Sequence, residues 1–195
     1  MIIRILFLDT SALLKMFIKE DGSENVKWLT SPDTKGYNSL QFFVNDQVCL
    51  EFEKKIRQCE KDGKISKKNA DQILDTFTNH YKNIYFKVLD KKSLLSPKKQ
   101  ETSIDVICKD LELKAGKNDW DGLHYQSIID TLAFFDAESH PILVTCDGSF
   151  ARKVKSKGYR IIDPIKQSRD EIKAVFSSPY AQAGLQKCAQ PQATR

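Results

Sequence analysis

Carboxylates that follow apolar runs are the residues of this sequence best placed to do chemistry. Asp9 directly follows the stretch MIIRILFL, and Asp147 closes the stretch ILVTCD. A carboxylate set against a buried run is costly unless it is hydrogen-bonded, paired with a charge or bound to a metal. An ordinary turn accounts for one such acid; two, at the ends of two strands, are less readily explained by turns alone. Other candidates sit on helical stretches. Asp121 falls in the first turn of a helix expected from about 120 to 138, where the helix dipole favours an acid in any case. At about 100° per residue it projects with Tyr125, Ile128 and Leu132, at the inner edge of that helix. Asp130 falls on the opposite side, and Asp119 just precedes the helix. Glu51 and Glu53 flank the apolar stripe of another helix, one on each side, and periodicity does not separate them.

Several carboxylates gathered at one point repel one another, and a divalent cation is the usual stabiliser. Oxygen ligands suit Mg2+ or Mn2+. Such an ion lowers the pKa of a bound water and makes a nucleophile for phosphodiester attack. The net charge of +5 agrees with a polyanionic substrate, as do the pairs Lys54/Lys55, Lys67/Lys68, Lys91/Lys92 and Lys98/Lys99 and the cluster Arg152, Lys153, Lys155 and Lys157. Solvated helix faces are the commoner cause of such runs, so the charge gains weight only beside a site for phosphate chemistry.

Other chemistries find little support. The histidines are His80, His124 and His140, there is no G-x-S-x-G, and no serine or cysteine nucleophile has an evident partner. Neither phosphate-binding glycine loop occurs. The five cysteines are widely spaced without a C-x-x-C pair, as reduced thiols would be in a reducing compartment. No apolar run reaches the ~20 residues of a membrane span, and the opening stretch is too short for a secretory signal. These features point to a cytoplasmic protein.

The elements that must hold the acids alternate between strand and helix. Buried strands are expected at 2–8, 40–44, 84–89, 142–145 and 159–162. Helices are expected after Asp9 with Ser11 as cap, at about 23–30 with Ser23 as cap, after Asn45 or Asp46, after Ser66, near 101–111, at 120–138, at 150–157 and at about 165–176. This alternation predicts an α/β fold, a central parallel sheet flanked by helices on both sides. In such sheets ligands bind at the C-terminal ends of the strands, where Asp9 and Asp147 lie.

The segments FLDTSALLKMFIKEDGSE, NDQVCLEFEKKI, DGLHYQSI and LVTCDGSFARKV, followed by GYRIIDP, resemble in order the motifs of PIN-domain proteins, in particular VapC-type toxin ribonucleases. The resemblance covers about residues 3 to 164. It implies a nuclease domain over 1–164; residues 165–195 depart from the family's pattern, and their sequence predicts an added C-terminal helix and a poorly ordered tail rich in Ala, Gln and Pro. It implies Mg2+- or Mn2+-dependent cleavage of RNA, an antitoxin protein as partner and a homodimer. Carried over by position, Asp9, Glu51, Asp121 and Asp147 match the family's four acids. Thr10 or Ser11, and Thr145, match polar positions that support them or contact metal-bound water. Glu53 stands as an alternative to Glu51, and Asp119 and Asp130 as alternatives to Asp121. A PIN-like RNA- or protein-binding scaffold is the competing expectation. An aspartyl phosphatase ranks lower, because Ser11 stands where its second Asp would be.

Overall fold

The structure, a computed structural model, describes residues 4–31, 40–79, 86–89, 128, 132 and 141–177. The apolar runs form five strands, β1 (Arg4–Leu8), β2 (Leu40–Asn45), β3 (Phe86–Leu89), β4 (Ile142–Val144) and β5 (Arg160–Ile162). They make one sheet in the order β3-β2-β1-β4-β5, with every pair parallel. Ile5 to Leu8 and Ile142 to Val144 are buried, which explains runs that are apolar throughout rather than alternating. The chain is therefore α/β, as expected from its alternation.

The strand order fixes where a site can form. From β1 the chain steps outward to β2 and β3, then returns to the other side of β1 for β4 and β5. Connections between parallel strands are right-handed as a rule, which puts the helices after β1 and β2 on one face of the sheet and the helix after β4 on the other. The reversal puts the topological switch point, the place at which open α/β sheets bind ligands, at the C-terminal ends of β1 and β4.

The helices described from end to end are α1 (Thr10–Phe17), α2 (Ser23–Thr30), α3 (Asp46–Lys61), α4 (Lys67–Thr76), α5 (Gly148–Ser156) and α6 (Arg169–Ser177). Apolar residues recur at helical spacing on α3, so Val48, Phe52 and Ile56 all enter the core. Phe52 packs against Phe77 in a tilted pair, ring centroids 4.6 Å apart, and Phe17 packs on both. Ile128 and Leu132 are helical and buried in the same core, on the side of their helix that the angle argument assigned.

Several boundaries differ from expectation for identifiable reasons. Asp9, not Ser11, caps α1; its carboxylate accepts from Thr10 N. Gly22, in the left-handed region at φ 84°, precedes α2. Ser23 instead staples the preceding turn, donating to Ile18 O and accepting from Glu20 N. Asn45 and Ser66 cap α3 and α4 as read. The last helix begins at Arg169 rather than near 165, because Asp163 to Gln167 form a turn and Ser168 with Glu171 makes a reciprocal capping box. The Ser168 backbone N–H holds the Glu171 carboxyl below its ordinary range. Among the described residues no helix is long and apolar enough to cross a membrane. The helices expected near 101–111 and, but for Ile128 and Leu132, at 120–138 lie outside the described residues, as does the tail beyond residue 177.

Candidate functional site

Asp9 and Thr145 face each other across the switch point. The strand pairing runs one residue past the ends of the strands on both sides: Asp9 N donates to Val144 O at 3.0 Å, and Thr145 N to Ile162 O at 3.0 Å. Asp9 is only 5% exposed, so its carboxylate has to be satisfied by protein groups. Thr10 N donates to Oδ1 at 2.7 Å, while Ser11 Oγ at 2.8 Å and Thr145 Oγ1 at 2.7 Å donate to Oδ2. Each hydroxyl has a single proton and spends it on Asp9. Each then accepts a backbone N–H, Ser11 from Cys146 and Thr145 from Asp147. The 3.3 Å separation of the two hydroxyl oxygens is thus a side effect of their shared acceptor. Every donor points inward, an arrangement suited to an ionised carboxylate.

The same network reaches the carboxylate of Glu51 and the backbone of Asp147. Thr10 Oγ1 donates to Glu51 Oε2 at 2.7 Å, which ties α3 to the start of α1. Glu51 is half-buried and Glu53 exposed, so the choice left open by periodicity falls on Glu51 as the glutamate turned to this edge. Asp147 lies not at the end of β4, which stops at Val144, but three residues on as the cap of α5. Its Oδ1 accepts from Ser149 N and Phe150 N at 2.8 and 3.0 Å. Thr145, rather than Asp147, holds the strand-end position in contact with Asp9. Asp119, Asp121 and Asp130 lie outside the described residues.

Three residues near the site were not singled out from sequence. Lys15 is buried on α1 and pairs with Glu20 at 3.0 Å. Cys146 is half-buried, and burial pushes its thiol up to about 12; the charge of Lys15 opposes this, while those of Asp163 and Asp9 add to it. Asp163 directly follows β5 and is 8% exposed, the same pattern of acid after apolar run that marks Asp9. Its Oδ1 accepts from Ile165 N and Lys166 N at 3.1 and 3.3 Å, and its Oδ2 lies 3.4 Å from Lys166 Nζ. Asp163 therefore holds the turn that α2 also grips, since Asn25 Nδ2 donates to Pro164 O and Gln167 O.

The donor chemistry of Asp9, Glu51 and Asp147, all oxygen, fits a hard divalent cation. Among the described residues, no three His, Cys, Asp or Glu side chains converge closely enough to hold an ion.

No protein-family model matches the chain, and no curated protein does. Among solved structures it is similar to the crystal structure of PAE2754 from Pyrobaculum aerophilum, at 16% identity over 90% of this chain and 91% of that one, with a TM-score of 0.47. No function is drawn from that likeness.

Proposed function

We propose that the chain is a Mg2+- or Mn2+-dependent endoribonuclease of the PIN-domain, VapC type. The observation that carries this reading is the buried Asp9 carboxylate at the switch point, oriented by three inward donors and joined through Thr10 to the Glu51 carboxylate and through Thr145 to the backbone N–H of Asp147. In this reading the ion would be held by Asp9, Glu51 and Asp147 with Asp121 as the fourth acid, and the three described carboxylates, which do not converge on one point by themselves, would have to close on it. When bound, the ion supplies a water of lowered pKa and positive charge toward the scissile phosphate. The protein's own part is to hold the acids in place before substrate arrives. Ser11 and Thr145 prevent Asp9 from rotating, and Thr10 fixes the reach of Glu51 from α3. Preorganisation of this kind removes the cost of gathering like charges at the moment of reaction. The reading also includes a cytoplasmic setting, a homodimer and an antitoxin protein as partner.

Cleavage of a fluorogenic single-stranded RNA by the purified protein tests it. Hydrolysis should require Mg2+ or Mn2+, stop with EDTA and be lost in Asp9→Asn. Because an amide at a buried site can destabilise the fold, Glu51→Gln provides a second variant. There the amide oxygen still accepts from Thr10 while the charge is gone, and activity should fall with the thermal midpoint kept. Cleavage by a folded Glu51→Gln protein at the wild-type rate would overturn the assignment.

A further inference from the structure

Gly148 is not required by its own turn. The described glycines in the left-handed region are Gly22, Gly63 and Gly158, so the backbone at 148 is one that any residue adopts. What the glycine leaves is room: a Cβ built there would lie 2.5 Å from Nζ of Lys166. The Lys166 ammonium thus rests over the backbone that directly follows Asp147, at the rim of the acid-lined edge.

The two ends of this lysine are held differently. At its base, Lys166 N donates to Asp163 O at 3.2 Å and to Asp163 Oδ1 at 3.3 Å, and Asn25 clamps the carbonyls on either side. At its tip the nearest acid oxygen, Asp163 Oδ2, is 3.4 Å away, well beyond the ~2.7–2.9 Å of a charge-assisted bond. The side chain is 64% exposed. An ammonium has three donors, and this contact occupies at most one of them. Lys15 offers a contrast, since its side chain is 8% exposed and its ammonium is bonded to Glu20 at 3.0 Å. Lys15 is shielded from any ligand at the edge, whereas Lys166 presents donors to it.

The geometry points to Lys166 as a phosphate-contacting residue, which holds a phosphate flanking the scissile one beside Asp147, with Gly148 kept small so that the ammonium can reach that place. This assignment rests on the ribonuclease reading above. An acid-lined edge repels a polyanion, and a cation fixed at its rim offsets that repulsion where the RNA backbone must pass. The anchored base fixes where the side chain starts, so that only its flexible stem has to be ordered on binding.

Fluorescence anisotropy of a labelled single-stranded RNA, in EDTA so that the strand stays intact, tests the assignment on the full-length protein. Lys166→Ala should weaken binding about two- to fivefold, the range of one exposed charge contact. It should also flatten the slope of log K against log salt by about 0.7, the share of one phosphate on a single strand. Lys166→Arg should restore the slope. Gly148→Ala displaces only the flexible tip, so it should fold normally and weaken binding in the same direction. The double variant should be no worse than Lys166→Ala, because both changes remove one contact. RNA binding by the wild type with an unchanged salt slope in Lys166→Ala overturns this assignment and leaves the ribonuclease reading standing. No RNA binding by the wild type overturns this assignment as well, while the ribonuclease reading is decided separately by the metal-dependent cleavage assay.

Discussion

Replacing Thr145 by valine tests whether the hydroxyl network, rather than mere packing, holds the switch point together. Thr145 is fully buried, and valine nearly matches its shape, so the change removes an oxygen and leaves the volume almost intact. That oxygen donates to Asp9 Oδ2 at 2.7 Å and accepts from Asp147 N at 3.1 Å. A bond to a charged group contributes about 1.5–3 kcal/mol, and the Asp147 N–H loses its acceptor at a further cost of about 1 kcal/mol. Asp9 keeps Thr10 N and Ser11 Oγ, which limits the total to about 3 kcal/mol. At about 3 °C per kcal/mol for a chain of this length, the melting midpoint should fall by about 9 °C. Thr145→Ser keeps the oxygen and loses one methyl group, which costs about 1 kcal/mol and about 3 °C. Circular dichroism melts of both variants under one buffer decide the matter. If valine melts within about 2 °C of serine, the hydroxyl contributes nothing beyond its methyl neighbour and the network argument fails. Under the ribonuclease reading the valine variant should also lose about 10- to 100-fold in metal-dependent cleavage, the usual effect of releasing a ligand from its supporting bond.

The other expectations are narrower. Gly22 has φ +84° and its added Cβ would lie 3.1 Å from the backbone of Pro164, whereas Gly63, at φ +71°, has nothing within 4 Å; both substitutions to alanine carry a left-handed cost of about 1–2 kcal/mol, but Gly22→Ala should melt lower than Gly63→Ala, and equal midpoints would show that the contact with Pro164 is soft. Burial raises the native Cys146 thiol to about 12 from its ordinary 9.0, so the native state keeps its proton while the unfolded state loses it. This contribution to stability is full below pH 9 and is lost as pH rises from there toward 12. The urea midpoint of the wild type should therefore fall more steeply between pH 9 and 11 than that of Cys146→Ala, and parallel profiles would remove the effect. The same burial should keep Cys146 slow to alkylate with iodoacetamide in the native protein at pH 8, with rapid labelling in urea.

Much of the fold was legible because its signals are local. Continuous apolar runs marked the strands of a sheet covered on both faces, and side-chain caps such as Asn45 and Ser66 marked where helices begin. Asp9 stood out for the same reason, as a charge placed directly after such a run. Asp163 carries the identical signal after β5 and could have been read with it. Asp147 was visible too, although its distance from the end of β4 makes it a helix cap first.

What sequence alone could not decide depended on contacts across long separations. Glu51 and Glu53 are equivalent by helical angle, and only the bond from Thr10, 41 residues away, turns Glu51 toward the edge. Ser11 looked like a cap because local rules score a serine by its own helix. Its hydroxyl is instead drawn to Asp9 and Cys146, the latter brought alongside by the pairing of β1 with β4. Nothing in the sequence joins Gly148 to Lys166, which the chain beyond β5 brings over it. The residue types and their order therefore determined the α/β sheet and the carboxylate at the end of its first strand. The strand order, by placing β4 beside β1, decided which hydroxyls hold that carboxylate and which lysine stands at its rim.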